Sequence, residues 1–221
     1  MLVFFLLLTV ILPQISESVF SPCLPEIATY FSAPMSSVEH VFTTYLMGYS
    51  LGMLIWGGLS DFFGRIRILR TGLLLYFMAS MFCLYSKTLE ALFVYRFLQG
   101  LGGSACSVLV IAMCRDHFKG EYRARMMARI GMAVSIGPML GPIVGSSIIV
   151  YANWYNVYFP LLLYACLIYV STYRVSSKIL KVVEPNIKDY KLVLRSKSIW
   201  LYALLIGNVC GIGFTFFSEA P

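Results

Sequence analysis

The sequence predicts an all-α protein that crosses a membrane several times, and three observations lead there. Hydrophobic residues make up 59% of the 221-residue chain and charged residues only 12%, too few polar groups to coat a water-soluble globule of that length. Seven apolar stretches each supply the ~20 helical residues needed to span a hydrocarbon core. Fifteen of the seventeen Lys and Arg residues fall in three short segments, one after every second stretch.

The stretches run over 2–30, 38–59, 67–86, 89–113, 126–150, 154–173 and 198–218. Links 31–37, 87–88 and 151–153 carry Lys87 alone. Segment 60–70 holds Arg65, Arg67 and Arg70, segment 114–129 holds Arg115, Lys119, Arg123, Arg125 and Arg129, and segment 174–197 holds Arg174 with six more. Basic loops stay in the cytoplasm, so this alternation predicts a multi-pass protein of the cell (inner) membrane with a cytoplasmic N-terminus. The first stretch also fits a secretory signal ending near Ser16-Glu17-Ser18. It has no basic residues ahead of the apolar run, however, and removing it would invert the parity of the basic loops. The expected organisation is a six-helix bundle over 1–173, built as two inverted three-helix repeats (1–86 and 87–173). A cytoplasmic connector over 174–197 and a seventh helix over 198–221, the start of an incomplete second half, would follow.

The formal charge of +7 fits anionic lipid headgroups. It does not read as a nucleic-acid surface, because the basic residues abut membrane ends without the aromatic or glycine interleaving that reads bases. Cys23, Cys83, Cys106, Cys114, Cys166 and Cys210 show no paired spacing and read as small core residues, so no metal or disulfide is expected. Gly100 to Gly103 lies in an apolar span and lacks the Lys of a phosphate cradle. No nucleophile triad is visible, so the chain is expected to be no enzyme, to need no cofactor, and to draw on an ion gradient or its substrate's own gradient.

Between the second and third spans, Gly57-Gly58-Leu59-Ser60-Asp61-Phe62-Phe63-Gly64-Arg65-Ile66-Arg67 predicts a tight turn, with Gly57 and Gly64 permitting a sharp reversal and Asp61 capping a helix or pairing with Arg65. By spacing alone it is a capped turn with membrane-side arginines. The string also resembles the loop signature of the major facilitator superfamily, G-x-x-x-D-(R/K)-x-G-R-(R/K), with Phe62 and Ile66 where basic residues are usual. Other strings follow in the family's order. Pro22-Cys23-Leu24-Pro25 resembles the P-x-L-P of drug:proton antiporters, and Tyr45 to Gly52 resembles their second helix. Arg96-Phe97-Leu98-Gln99-Gly100 is similar to their R-x-x-x-G pattern, and Gly137-Pro138-Met139-Leu140-Gly141-Pro142-Ile143-Val144-Gly145 to their antiporter signature. The nearest subgroup is the Bcr/CflA type of drug-resistance efflux transporter, matched in its N-terminal half plus seventh helix.

Gly137, Gly141 and Gly145 recur every four residues, so they share one helix face that admits close packing. Pro138 and Pro142 each remove a donor and should bend that helix. Spacing leaves two readings, a kinked packing helix or a gating element. The resemblance implies the second, a helix that seals the cavity of exporters.

Arg96 lies about 10 Å into an apolar helix at 1.5 Å per residue. A charge there is costly unless it faces water or a partner, or snorkels to the surface. The resemblance implies a role in coupling protonation to conformational change. Glu17 is the acid expected to partner it and to carry the proton. The family places an Asp four residues before the first proline of P-x-L-P, where this chain has Ser18, so the acid is displaced by about 100° around the helix. Glu26 and Glu39 are expected in solvent. Asp116 matches an acid that the family joins to the loop pair, which implies a conformational latch of Gly57, Asp61, Gly64, Arg65 and Asp116. Tyr45, Tyr49, Gln99 and Met132 are candidates for substrate contact, with packing or lipid contact as the plainer alternative. Met53 replaces a Gln common in the family and makes the pocket more apolar.

By resemblance, the expected function is export of small, amphipathic, drug-like compounds by proton antiport with alternating access. The expected partners are substrate, protons, membrane lipids and a separate C-terminal half. The competing expectation is a truncated, non-transporting fragment that serves as an assembly partner.

Overall fold

The computed structural model describes residues 2–175, all within the first of the chain's two units, Met1–Val183. The connector beyond Val175, the seventh helix over 198–221 and Cys210 lie outside the described residues. The described residues form α1 (Leu2–Ser18), α2 (Leu24–Phe31), α3 (Met35–Val38), α4 (His40–Phe63), α5 (Arg65–Leu84), α6 (Leu89–His117), α7 (Gly120–Tyr151) and α8 (Tyr158–Arg174). Taking α1 with α2, and α8 with the 3-10 turn Trp154–Val157 before it, gives six long segments.

Five of these six are long and apolar enough to cross a membrane. The exception is α4, expected as the second span: its 24 residues suffice in length, but Thr43, Thr44, Gly48, Ser50 and Gly52 dilute its apolar content. The two glycines among them, Gly48 and Gly52, are buried and serve packing instead. A Cβ on Gly48 would strike the carbonyl of Phe97, and a Cβ on Gly100 the carbonyl of Tyr45, so α4 and α6 touch backbone to backbone. In lipid the tails are as apolar as Leu, and close van der Waals contact of this kind drives helix association.

The first span is broken where a continuous helix over 2–30 was expected. Pro22 and Pro25 lack backbone donors, and the chain between α1 and α2 tightens into a 3-10 turn over Ser21–Cys23. Two expected loops are shorter than the sequence suggested. Gly57 is helical and Gly64 alone reverses the chain, at φ 90° and ψ 143°, a conformation that a side chain disfavours. Likewise α6 runs to His117 and α7 begins at Gly120, which puts most of the second basic segment on helical extensions. α7 passes through Pro138 and Pro142 as one uninterrupted helix.

α6 is the central element, with 72% of its apolar window buried against 22% for α7. α4 packs on α6 as α7 packs on α1, and α5 contacts both α6 and α8. Exchanging α1 with α6, α4 with α7, and α5 with α8 reproduces this pairing. Since each repeat holds three spans, an odd number, the second repeat must be inverted in the membrane.

Candidate functional site

Arg96 is completely buried, which rules out a snorkelled guanidinium. It sits about two turns below the start of α6, whose first turn is fixed by Thr88 accepting a hydrogen bond from the Ala91 amide. One terminal nitrogen, Nη1, donates to the Ser16 carbonyl at 3.1 Å and to Gln99 Oε1 at 2.8 Å. The flat faces of the guanidinium meet the Phe20 ring at 4.1 Å and the Tyr45 ring at 4.6 Å. Two aromatic quadrupoles thus offset part of the desolvation of the charge.

A hydrogen-bond chain extends from this centre. Gln99 Nε2 donates to Ser80 Oγ at 2.8 Å, and Ser80 Oγ spends its own proton on the Tyr76 carbonyl. Ser16 Oγ donates to the Leu12 carbonyl, so the 2.5 Å contact between Tyr76 and Ser16 runs from the Tyr76 hydroxyl to Ser16. The chain links α1, α5 and α6 and closes on Arg96 through the Ser16 carbonyl. Arg96 Nε and Nη2 remain buried without hydrogen-bond partners among the described residues.

The expected Arg96–Glu17 ion pair does not form: no contact within 4.0 Å joins them, although Arg96 lies within electrostatic reach of the carboxylate. Glu17 is 8% exposed, and its Oε1 is buried with no hydrogen-bond partner among the described residues. Helical geometry accounts for this. Ser16 and Phe20, four residues apart, face Arg96, while Glu17 is rotated about 100° from Ser16. Of the four residues expected to touch substrate, Tyr45 and Gln99 are fully buried and engaged with Arg96, and the Tyr45 hydroxyl donates to the Pro13 carbonyl at 3.0 Å. Tyr49 is half-buried, stacked on Tyr45 and bonded to Ser107 Oγ at 2.7 Å. Met132 is 62% exposed on α7 and stands outside this cluster.

At the basic end of the bundle the structure brings Asp61, Arg65 and Asp116 together. Arg65 is 7% exposed, contacts Asp61 Oδ1 at 2.5 Å and donates through Nε to Asp116 Oδ2 at 3.0 Å. Ser60 Oγ, unforeseen from sequence, accepts from Arg65 Nη1. Arg115 reaches the other Asp116 oxygen at 3.9 Å. Gly64 supplies the break that sets Arg65 against Asp61, whereas a Cβ on Gly57 would meet, among the described residues, only the Val108 side chain at 3.6 Å.

Gly137, Gly141 and Gly145 all face the first span. A Cβ on them would meet Gln14, Ser18 and Val19 respectively, and Ser18 Oγ donates to the Gly137 carbonyl at 3.0 Å. Pro138 and Pro142 flank this stripe, half-buried. Two further clasps were missed. Arg70 bonds the Thr172 hydroxyl and carbonyl and stacks on Tyr173 at 4.0 Å, fastening α5 to α8. Glu26, expected in solvent, is half-buried and accepts from the Trp154 amide at 3.0 Å. The signal for both was a charged residue at a span end, which spacing cannot connect to a distant partner.

Several known proteins share this sequence pattern and fold. The chain is 33% identical over 219 residues to an uncharacterized transporter of Rickettsia bellii, covering 95% of this chain and 53% of that protein. It is 28% identical to a chloramphenicol resistance protein of Pseudomonas aeruginosa, covering 96% and 51%, and 32% identical over 135 residues to the multidrug resistance protein MdtL of Escherichia coli, covering 61% and 34%. The chain thus spans about half the length of the curated relatives it matches from end to end. In fold it is similar to the xylose transporter XylE of E. coli in a partially occluded inward-open conformation, with TM-score 0.71 over 79% of this chain and 48% of that one, at 18% identity. The sequence profile of the Major Facilitator Superfamily matches residues 6–220, and the chain belongs to that superfamily.

Proposed function

We propose that these helices form half of a proton-coupled exporter of small amphipathic compounds, working by alternating access with the N-terminus in the cytoplasm. The observation that carries this reading is Arg96, a wholly buried cation without an ion-pair partner among the described residues, beside Glu17, a buried carboxyl group whose Oε1 has no hydrogen-bond partner among them. Arg96 is permanently charged, so loading or releasing a proton at Glu17 changes the field between α1 and α6 and biases which side of the cavity is open. Asp61, Arg65 and Asp116 serve as a latch of modest strength, with Gly57 and Gly64 shaping the α4 end. The Gly137–Gly145 face of α7 slides or seals against the first span. Tyr49, backed by Tyr45 and Gln99, contacts substrate, and Met132 does so from the far side of the cavity. The names of the Pseudomonas and E. coli relatives support drug-like substrates. A second half, in this polypeptide or a companion chain, completes the cavity.

The test is drug-driven proton movement in everted vesicles of the native membrane carrying chromosomal substitutions. Arg96→Ala should abolish coupling and Lys87→Ala should leave it intact. If wild-type vesicles move neither drug nor proton, the chain is instead an assembly partner without transport.

A further inference from the structure

We propose that the crevice between α1 and α8 binds one anionic phospholipid, a role independent of the transport reading. A cavity of about 260 Å³ lies there, walled by Phe4 and Leu8 on one side and by Tyr164, Leu167 and Ser171 on the other, with Arg174 at its mouth. Phe4 is 67% and Leu167 59% exposed, so the crevice opens on the flank of the bundle.

Among the described residues, the interior has no free polar donor to offer a ligand. The Tyr164 hydroxyl is spent on the Leu8 carbonyl at 2.7 Å, which also ties the two helices together, and Ser171 Oγ is spent on the Leu167 carbonyl. What remains is an apolar slot suited to an alkyl chain by van der Waals contact. The mouth differs. Arg174 is exposed in the last turn of α8 and has no ion-pair partner among the described residues, whereas its neighbour Arg70 is held by Thr172 and Tyr173. Arg174 also lies at the basic end of the bundle, the level at which the headgroups of an anionic leaflet stand. A phosphate on Arg174 with its acyl chain along Leu167 satisfies both parts of the crevice. A hydrophobic cation would be repelled at the mouth, and a zwitterionic lipid brings a positive group to the same guanidinium.

The full chain, extracted in mild detergent and titrated with phosphatidylglycerol or phosphatidylcholine, is read by native mass spectrometry. One phosphatidylglycerol should be retained in preference to phosphatidylcholine. Arg174→Ala should lower its occupancy about fivefold, Leu167→Trp should lower it by filling the slot, and Lys87→Ala at the opposite end should not. Inorganic phosphate and glycerol phosphate should fail to compete. Equal retention of both lipids overturns the proposal, and competition by free phosphate reduces it to an anion contact and overturns it too. If Arg174→Ala does not fold, a photoreactive residue at Leu167 in native membranes decides. Cross-links to phospholipid support the site, and cross-links to residues 176–221 or to another protein overturn it.

Discussion

Arg65 and Asp116 join the first turn of α5 to the last turn of α6 at 3.0 Å, and each stands at the pole of its own helix that disfavours its charge. Apart, each charge opposes its helix dipole; together they cancel. Asp61 adds a second carboxylate from α4, so three helices share one cluster whose cohesion depends on keeping their ends in place. Such a cluster favours one arrangement of the basic end without locking it, because partly exposed pairs contribute little individually.

Asp116→Asn keeps the shape of the side chain and removes its charge. The α5–α6 end should loosen by up to about 1 kcal/mol, the range for partly exposed ion pairs. Cys114, buried two residues earlier, should then react several-fold faster with maleimide, as located by mass spectrometry. An unchanged labelling rate would mean that the cluster does not hold these ends.

Close backbone approach makes a sharp prediction for glycine. Gly48→Val and Gly100→Val place atoms on opposing carbonyls and should cost about 1–3 kcal/mol, lowering the melting temperature of the detergent-solubilised protein. Gly58→Ala and Gly131→Ala, where an added Cβ meets nothing within 4 Å beyond its own helix among the described residues, should leave it unchanged or raise it slightly.

Glu26 accepts from the Trp154 amide at the start of the sixth segment, where a carboxylate also suits the positive end of the helix. Glu26→Ala should cost about 1 kcal/mol, as loss of a helix cap does. Glu26→Gln keeps an acceptor and should cost less. Thermal melting of the two variants checks the order.

Arg96→Lys preserves charge but loses the planar group stacked between Phe20 and Tyr45 and its paired bonds to Ser16 and Gln99. Proton-coupled efflux should fall about tenfold or more, against full loss in Arg96→Ala. Wild-type efflux in the Lys variant would show that charge alone suffices.

The spans were legible because the alternation of basic segments and apolar runs is a property of the linear chain, set by the bilayer. The basic-end cluster was legible because Asp61 and Arg65 flank the same glycine turn four residues apart, and Asp116 because it matches an acid that the resembled family joins to that pair. The surroundings of Arg96 were not. Phe20, Ser16, Tyr76 and Ser80 come from two other helices, and which face of α1 meets α6 depends on a rotation that hydrophobic periodicity leaves open in a helix apolar all round. That rotation turned Ser16, not Glu17, toward the guanidinium. The break after Ser18 was written in Pro22 and Pro25 but was overridden by the length of the apolar run.

Proton coupling at Glu17 is tested most directly by the pH dependence of drug efflux in vesicles with imposed proton gradients, comparing wild type with Glu17→Gln. The account predicts that an inward proton gradient accelerates wild-type export and leaves the Gln variant unmoved. An unchanged response in Glu17→Gln would contradict it.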